Sequence, residues 1–313
     1  MRERGHVGFI GLGNMGAPMA RNLLTAGFSL VVRDADTDRQ QEFQRDHGCA
    51  TAELPEAFSR AEVVVTMLPD DQAVWSAIID WGIADALVPG AIVVDMSSSN
   101  PNGTLRLGEE LSARRVGLID APVSGGIERA TEGSLSLMVG GDDDSFARAE
   151  PVLQALGGQI FRTGPLGSGH AMKALNNYLH ACAYAAAAEA LTIGQRYGLG
   201  PATMTNVFNA STARSFNTEV VLKEHVVPGR YATGFMLGLL AKDVEIAADL
   251  ADDQGVDAPL CRLVSERWQV ASGRLGSSAD HSEAHKSWSS AVFTDAAVEP
   301  VPVAGRPPER LPN

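Results

Sequence analysis

The sequence predicts an α/β fold in two parts, a doubly wound parallel sheet followed by an all-α domain. Three observations carry that prediction. Short valine- and isoleucine-rich runs alternate with helical patterns through the first half, a glycine-rich turn joins the first run to the first helix, and beyond about residue 200 helical segments follow one another without a convincing strand. With 313 residues and 45% hydrophobic content, the chain has enough material for two cores at roughly 100 to 200 residues each. The expected boundaries are 1–163 for the α/β domain, 164–295 for the helical domain and 296–313 for a proline-rich tail.

Val7-Gly8-Phe9-Ile10 reads as a short buried strand that passes into Gly11-Leu12-Gly13-Asn14-Met15-Gly16, and Ala17 to Ala26 then follows a helical pattern. This is G-x-G-x-x-G in its strand–turn–helix setting. The glycines allow a tight turn, close approach of backbone to a pyrophosphate, and close helix–strand packing, while the helix N-terminus receives the phosphates. The next strand, Leu30-Val31-Val32-Arg33, ends at Asp34, about twenty residues on, where a Rossmann dinucleotide site needs an acceptor for ribose hydroxyls. Asp34 repels a 2′-phosphate and points to NAD; in a different register Arg33 or Arg39 faces that phosphate, and the cofactor is NADP.

Further strands are expected at Glu62–Leu68, Ala91–Asp95, Val116–Asp120, Ser134–Val139 and Gln159–Arg162, with helices over Gln72–Ile79, Thr104–Arg114 and Ser145–Leu156. In such a sheet ligands bind at the carboxyl ends of the strands, which singles out three loops. Met67-Leu68-Pro69 is expected under the adenosine or ribose, Ser97-Ser98-Ser99 near the nicotinamide, and Asp120 to Gly126 beyond it. In the last loop, Ser124 and the N–H groups of Gly125 and Gly126 offer either a concavity for a carboxylate or simply a tight turn.

Gly164-Pro165-Leu166-Gly167-Ser168-Gly169 then opens a long helix to Tyr197. Met172, Leu175, Leu179, Cys182, Ala186, Ala190, Ile193 and Tyr197 recur at helical steps and are expected to form its buried stripe. Lys173, Asn177, His180 and Tyr184 share a second face. A lysine one turn inside a helix N-terminus is disfavoured as a cation by the positive end of the macrodipole, which suits proton transfer; the competing reading is a solvated helix-start lysine.

The helical half follows as Pro201–Ala210, Phe216–Val226, Leu237–Asp253, Pro259–Arg274 and Glu283–Val292. Its small-residue run from Ala183 to Ala190, and apolar residues on several helix faces, point to a homodimer or homotetramer. Lys242-Asp243 interrupts an apolar segment. His281 and His285 have no third ligand at defined spacing, so no metal site is expected.

A net charge of −13 and pI ≈ 4.9 argue against a general nucleic-acid surface. No apolar run approaches 18 residues and no h-region follows Met1, so neither membrane insertion nor secretion is expected. Cys49, Cys182 and Cys261 lack CxxC spacing, which fits a reducing cytoplasm better than a disulfide framework.

Four segments together resemble a known family. Gly8-Phe9-Ile10-Gly11-Leu12-Gly13-Asn14-Met15-Gly16, Asp120 to Gly126, Gly167-x-Gly169-x-x-x-Lys173-x-x-Asn176-Asn177, and Lys242-Asp243 look, in order, like the signatures of the β-hydroxyacid dehydrogenases, the 3-hydroxyisobutyrate dehydrogenase family. The resemblance runs from about Val7 to about Phe293. It implies NAD(P)-dependent oxidation of a small carboxylate-bearing alcohol, with Lys173 as acid/base, Asn177 and the Ser124-Gly125-Gly126 loop holding substrate, Ser98 contacting cofactor, and Lys242 contacting cofactor or substrate.

The resemblance leaves the substrate open. Ala213-Arg214-Ser215-Phe216 is similar to a pocket segment of 3-hydroxyisobutyrate dehydrogenases, whereas Asp280-His281-Ser282 is nearer to tartronate semialdehyde reductase and threonate dehydrogenase relatives. An NADPH-dependent semialdehyde reductase is the enzymatic alternative. An imine reductase is disfavoured because Lys173 and Asn177 are both present, and retention of Lys173 argues against a non-catalytic cofactor-binding protein.

Overall fold

The computed structural model describes residues 5–288, so the expected tail at 296–313 and the far end of the helix expected over Glu283–Val292 lie outside the described residues. The chain divides into two compact units. The first runs to Tyr178 and adds Asp243–Ala258; the second takes Leu179–Lys242 and resumes at Pro259.

The first unit is built from β1 (His6–Ile10), α1 (Gly16–Thr25), β2 (Ser29–Arg33), α2 (Thr37–His47), β3 (Ala50–Thr51), β4 (Val63–Thr66), α3 (Asp71–Trp75), α4 (Ile83–Ala86), β5 (Ile92–Asp95), α5 (Pro101–Ala113) and β6 (Gly117–Asp120). It continues through β7 (Val123–Ser124), α6 (Gly126–Glu132), β8 (Leu135–Gly140), α7 (Asp143–Leu156) and β9 (Gly157–Gly164). The sheet order is β3-β2-β1-β4-β5-β6-β8-β7, with β9 beside β8. The strands from β3 to β6 are parallel to their neighbours.

Both faces of this sheet are covered, which is why its strands read as continuous apolar runs rather than alternating ones. Val7, Phe9, Val65 and Val94 pack toward Met19 and Leu23 of α1 and Val152 and Leu153 of α7. Ile10, Val64 and Val93 face the other way, against Phe58, Val74, Ile83, Leu107 and Leu111. Each fully buried aliphatic side chain contributes about 1.5–3 kcal/mol, so the alternation along each strand is what ties the two helix layers to one sheet. The strand order reverses between β1 and β4, leaving a crevice at their carboxyl ends.

The structure departs from the expectations in instructive places. β8 runs antiparallel to β6, because only the short β7 and the seven-residue α6 lie between them, too little for the usual crossover to a parallel strand. Helix α2 carried almost no periodic apolar signal, since only Gln40 and Phe43 are buried on it. Its start is marked by polar chemistry instead: Asp36 accepts the N–H groups of Asp38 and Arg39, both at 3.1 Å.

The long helix forms as α8 (Ser168–Tyr197), but the stripe expected to be buried is turned outward. Leu179, Ile193 and Tyr197 are 66%, 71% and 73% exposed, and Met172 and Leu175 are exposed with them. The buried side is lined by Ala174, Asn177, Ala181, Tyr184, Ala185 and Ala188. The periodicity was right and the face wrong: small side chains let neighbouring segments approach closely, so alanine rather than the bulky stripe marks the packed side.

The second unit is helical, as expected. α9 (Pro201–Ala210) precedes a wider-wound turn at Asn217–Val226, and α10 (Leu237–Asp253), which belongs to this unit only as far as Lys242, α11 (Pro259–Leu275) and α12 (His285–Trp288) follow. At its centre Tyr184 and Trp268 pack with ring centroids 5.7 Å apart. The Tyr184 hydroxyl donates to the Ser282 carbonyl at 2.5 Å, and Trp268 Nε1–H donates to the Ala181 carbonyl at 3.3 Å. His281 and His285 are buried beside them, and burial pushes both imidazoles down from 6.5 to about 4.

The sign of the resulting pH dependence follows from that direction. The unfolded chain takes up protons near pH 6.5 and the native one only near 4, so these histidines add stability above about pH 6.5 that is lost as the pH falls toward 4. Urea unfolding of the full chain should therefore weaken between pH 7 and pH 4, by at most about 3 kcal/mol per histidine. His285→Gln should remove its share of that slope.

Candidate active site and dinucleotide cradle

The glycine turn after β1 shows which of its members must be glycine and why. A Cβ on Gly11, whose φ is +98°, would overlap the Met67 carbonyl, and one on Gly16 would overlap the Gly11 carbonyl. Gly13 is different, for nothing lies within 4 Å of where its Cβ would be. The turn thus packs tightly against β4 and α1 on two sides and stays open on the third, beside the N-terminus of α1. Leu12, Asn14 and Met15 complete it. An open backbone edge at a helix N-terminus fits the pyrophosphate of a dinucleotide.

Asp34 at the end of β2 is buried, and its Oδ2 accepts the Leu12 N–H at 2.6 Å. Its Oδ1 accepts the Asp36 N–H at 2.8 Å and meets Arg39 at 3.2 Å. The carboxylate therefore pins the glycine turn to β2, with about one of its four acceptor positions to spare. Arg33 stacks its guanidinium on Trp81 at 3.6 Å, and burial lowers its pKa despite the opposing pull of Asp34. Across the crevice, the Leu68 N–H donates to Ser97 Oγ at 2.9 Å, joining the Met67-Leu68-Pro69 loop to the serine loop; Ser98 there is half-buried.

The start of α8 is fixed by Asp120, the last residue of β6. Its Oδ1 accepts the Gly167 N–H at 2.7 Å and its Oδ2 the His170 N–H at 2.8 Å, a negative charge held against the positive end of the helix. A Cβ on Gly169 would strike the Met138 carbonyl, so glycine permits the close docking. His170 is itself buried, with Nδ1 2.7 Å from Thr104 Oγ1 and Nε2 3.7 Å from Asp95 Oδ2.

One turn into α8, Lys173 extends to the β7 loop, where its Nζ donates to the Val123 carbonyl at 2.8 Å. Ser124, Gly125 and Gly126 follow immediately, with φ of +138° and +69° at the two glycines. A Cβ on Gly126 would meet nothing within 4 Å, so this loop too has an open side. One turn further, Asn177 is buried and its Nδ2 donates to Asp243 Oδ2 at 2.6 Å, while its Oδ1 accepts from Asn176 at 3.1 Å. The structure thus brings Lys173 to the Ser124–Gly126 loop and Asn177 to Asp243, while Lys242 belongs to the second unit.

A family model described as the NAD binding domain of 6-phosphogluconate dehydrogenase matches residues 6–164, and one described as NAD-binding of NADP-dependent 3-hydroxyisobutyrate dehydrogenase matches residues 167–288. The chain is 33% identical over 261 residues to the 2-(hydroxymethyl)glutarate dehydrogenase of Eubacterium barkeri, covering 83% of this chain and 87% of that protein. It belongs to the β-hydroxyacid dehydrogenase family. The human mitochondrial 3-hydroxyisobutyrate dehydrogenase is 36% identical over 256 residues, 78% of this chain and 75% of its own. The structure of Mycobacterium tuberculosis 3-hydroxyisobutyrate dehydrogenase with L-serine superposes with a TM-score of 0.84 at 29% identity, covering 91% of this chain and 99% of that one.

This dehydrogenase therefore uses NAD(P), and the open edge at Gly13 beside α1 accommodates such a cofactor. Among the described residues no helix is long and apolar enough to cross a membrane, and no group of three or more His, Cys, Asp or Glu side chains is placed to hold a metal. Two anchoring carboxylates escaped selection as site residues. Asp243 was visible beside Lys242, but its pairing with Asn177, 66 residues away in sequence, was not. Asp120 headed a recognised motif, yet nothing local revealed that it caps a helix 50 residues on.

Proposed function

We propose that this dehydrogenase oxidises a small β-hydroxy acid with NAD, using Lys173 as acid/base. One observation carries the reading: Lys173 Nζ lies 2.8 Å from the Val123 carbonyl, on the residue that leads into Ser124-Gly125-Gly126. The proposed substrate anchor is that loop, with Ser124 and the N–H groups of Gly125 and Gly126 holding the carboxylate and so placing the β-hydroxyl near Lys173.

A neutral lysine amine has two hydrogens and one lone pair. It can keep its bond to Val123 while the lone pair takes the hydroxyl proton, and it returns that proton in reduction. Asn177, held by Asp243, orients Lys173 or the substrate. A nicotinamide held there would supply the hydride acceptor. Its dinucleotide is assigned to Gly11-Leu12-Gly13-Asn14-Met15-Gly16, Arg33, Asp34, Met67-Leu68-Pro69, Ser98 and Lys242. NAD is favoured over NADP because the carboxylates of Asp34 and Asp36, following β2, would repel a 2′-phosphate, and Arg39 is already paired to both.

Two wider assignments accompany this reading. The exposed apolar stripe of α8 supports a homodimer or homotetramer. A cytoplasmic setting fits the absence of any disulfide among Cys49, Cys182 and Cys261, and a disulfide found by thiol titration would contradict it.

Initial rates with C3 to C5 β-hydroxy acids, run with NAD and NADP side by side, test the enzymatic reading. Turnover of 3-hydroxyisobutyrate or a close relative with NAD is expected. Turnover confined to NADP would move the cofactor assignment from Asp34 to Arg33 and Arg39, and no turnover of any β-hydroxy acid would overturn the substrate class. Light scattering should give a native mass that is two or four times the 33.0 kDa chain, and a monomer would contradict the assembly.

A further inference from the structure

Asp95 and Asp120 end neighbouring parallel strands and stand opposite each other in register, so the first unit holds two buried carboxylates together at its carboxyl edge. The imidazole of His170, in the first turn of α8, lies close to both. Its side chain is fully enclosed, yet Nε2 has no hydrogen-bond partner among the described residues and lies 3.7 Å from Asp95 Oδ2. Buried side-chain nitrogens nearly always have a partner, so this exception asks for an explanation.

The neighbours decide where the ring carries its hydrogen. Thr104 Oγ1 lies 2.7 Å from His170 Nδ1 and 3.2 Å from the Asn100 carbonyl, which already accepts the Thr104 N–H at 3.1 Å. The threonine hydrogen therefore goes to Nδ1, and the imidazole's own hydrogen sits on Nε2. The opposite assignment would set a nitrogen lone pair against a carboxylate oxygen, which only accepts, in a site closed to water. On the carboxylate, Asp95 Oδ1 accepts Thr66 Oγ1 and the Ser97 N–H, and Oδ2 accepts Ser99 Oγ. One acceptor position is left on Oδ2, the oxygen that Nε2 approaches. Donor and acceptor are both unspent, and about 0.8 Å of movement would bring them to an ordinary N–H···O length.

We propose that His170 is a positioning residue that joins the serine loop to the helix carrying Lys173, its Nε2–H closing onto Asp95 when a dinucleotide occupies that loop. The inference rests on the readings of Lys173 as acid/base and Ser98 as a cofactor contact. Asp95 binds Ser97 and Ser99, the residues on either side of Ser98, so a ligand held against Ser98 acts on the carboxylate through both flanks. On the other side, His170 stands one turn before Lys173, about 4.5 Å along the helix axis. The chain from Ser98 through Asp95 and His170 to Lys173 lies wholly in the first unit. It runs from the group that holds the hydride acceptor to the group that takes the proton, and closing it fixes the two against each other. A hydrogen bond to a carboxylate is among the stronger kinds, and the low dielectric of a buried site strengthens it further.

The test follows the His170 Nε2–H proton by NMR in the full chain with isotope-labelled histidine, its signal assigned as the one lost in His170→Gln. Saturating NADH should move that signal downfield, as a shortening hydrogen bond to a carboxylate does; no movement with NADH bound would overturn the proposal. In initial rates on the β-hydroxy acid that turns over best, His170→Leu should lower kcat by about tenfold or more, with KM changed by no more than about threefold. His170→Gln places an amide N–H near the position of Nε2 and should recover more of kcat than His170→Asn, which places one near Nδ1. Equal losses in the Gln and Asn variants, or a wild-type kcat in the Leu variant, would also overturn it. Lys173→Ala, run alongside, separates the two readings. Wild-type turnover there would remove the parent reading, whereas a loss there with His170→Leu unimpaired would remove only this one.

Discussion

Asp120 is the constraint on which the candidate site depends. Its carboxylate ends β6 and accepts the amide of Gly167, just before α8, and that of His170 in its first turn, so one side chain fixes both the position and the direction of the helix that carries Lys173 and Asn177. Beneath it, Asp95 at the end of the neighbouring strand accepts from Thr66 Oγ1, Ser97 N–H and Ser99 Oγ at 2.8, 3.0 and 2.8 Å. Buried carboxylates are tolerated only when their acceptor positions are filled, and here donors from the helix, the serine loop and the strands fill them. The carboxyl edge of the sheet is consequently a polar floor with defined geometry rather than a set of loose loops.

The same economy governs the cofactor side. Asp34 binds the amide of Leu12 before any ribose arrives, and Gly11 and Gly16 remove the side chains that would keep the turn from β4 and α1. Gly13 is left facing open space. A turn held on two sides and open on the third needs little rearrangement to receive a phosphate, and preorganisation of that kind lowers the entropic cost of binding.

The fold was legible because a two-sided parallel sheet writes itself as alternating apolar runs and helical periods, and the glycine motif marks its first turn. The residues of the candidate site were legible as motifs, each short and local. What joined them was not. Asp120 with Gly167 and Asn177 with Asp243 are pairs separated by 47 and 66 residues, and no local pattern announces a polar partner at such a distance. The face of α8 was misread for a related reason: hydrophobic periodicity says which residues share a side of a helix, while only the neighbours decide which side is covered. Leu179 and Ile193 lie outside and Ala181 and Ala188 inside because close packing selects for small side chains.

The central claim, that Lys173 moves the proton while other groups hold cofactor, is tested most directly by measuring turnover and NADH affinity in the same preparation of Lys173→Ala. The account predicts a loss of turnover of about 10²- to 10⁴-fold with NADH affinity changed by no more than about twofold. Turnover at the wild-type level in that variant would contradict it.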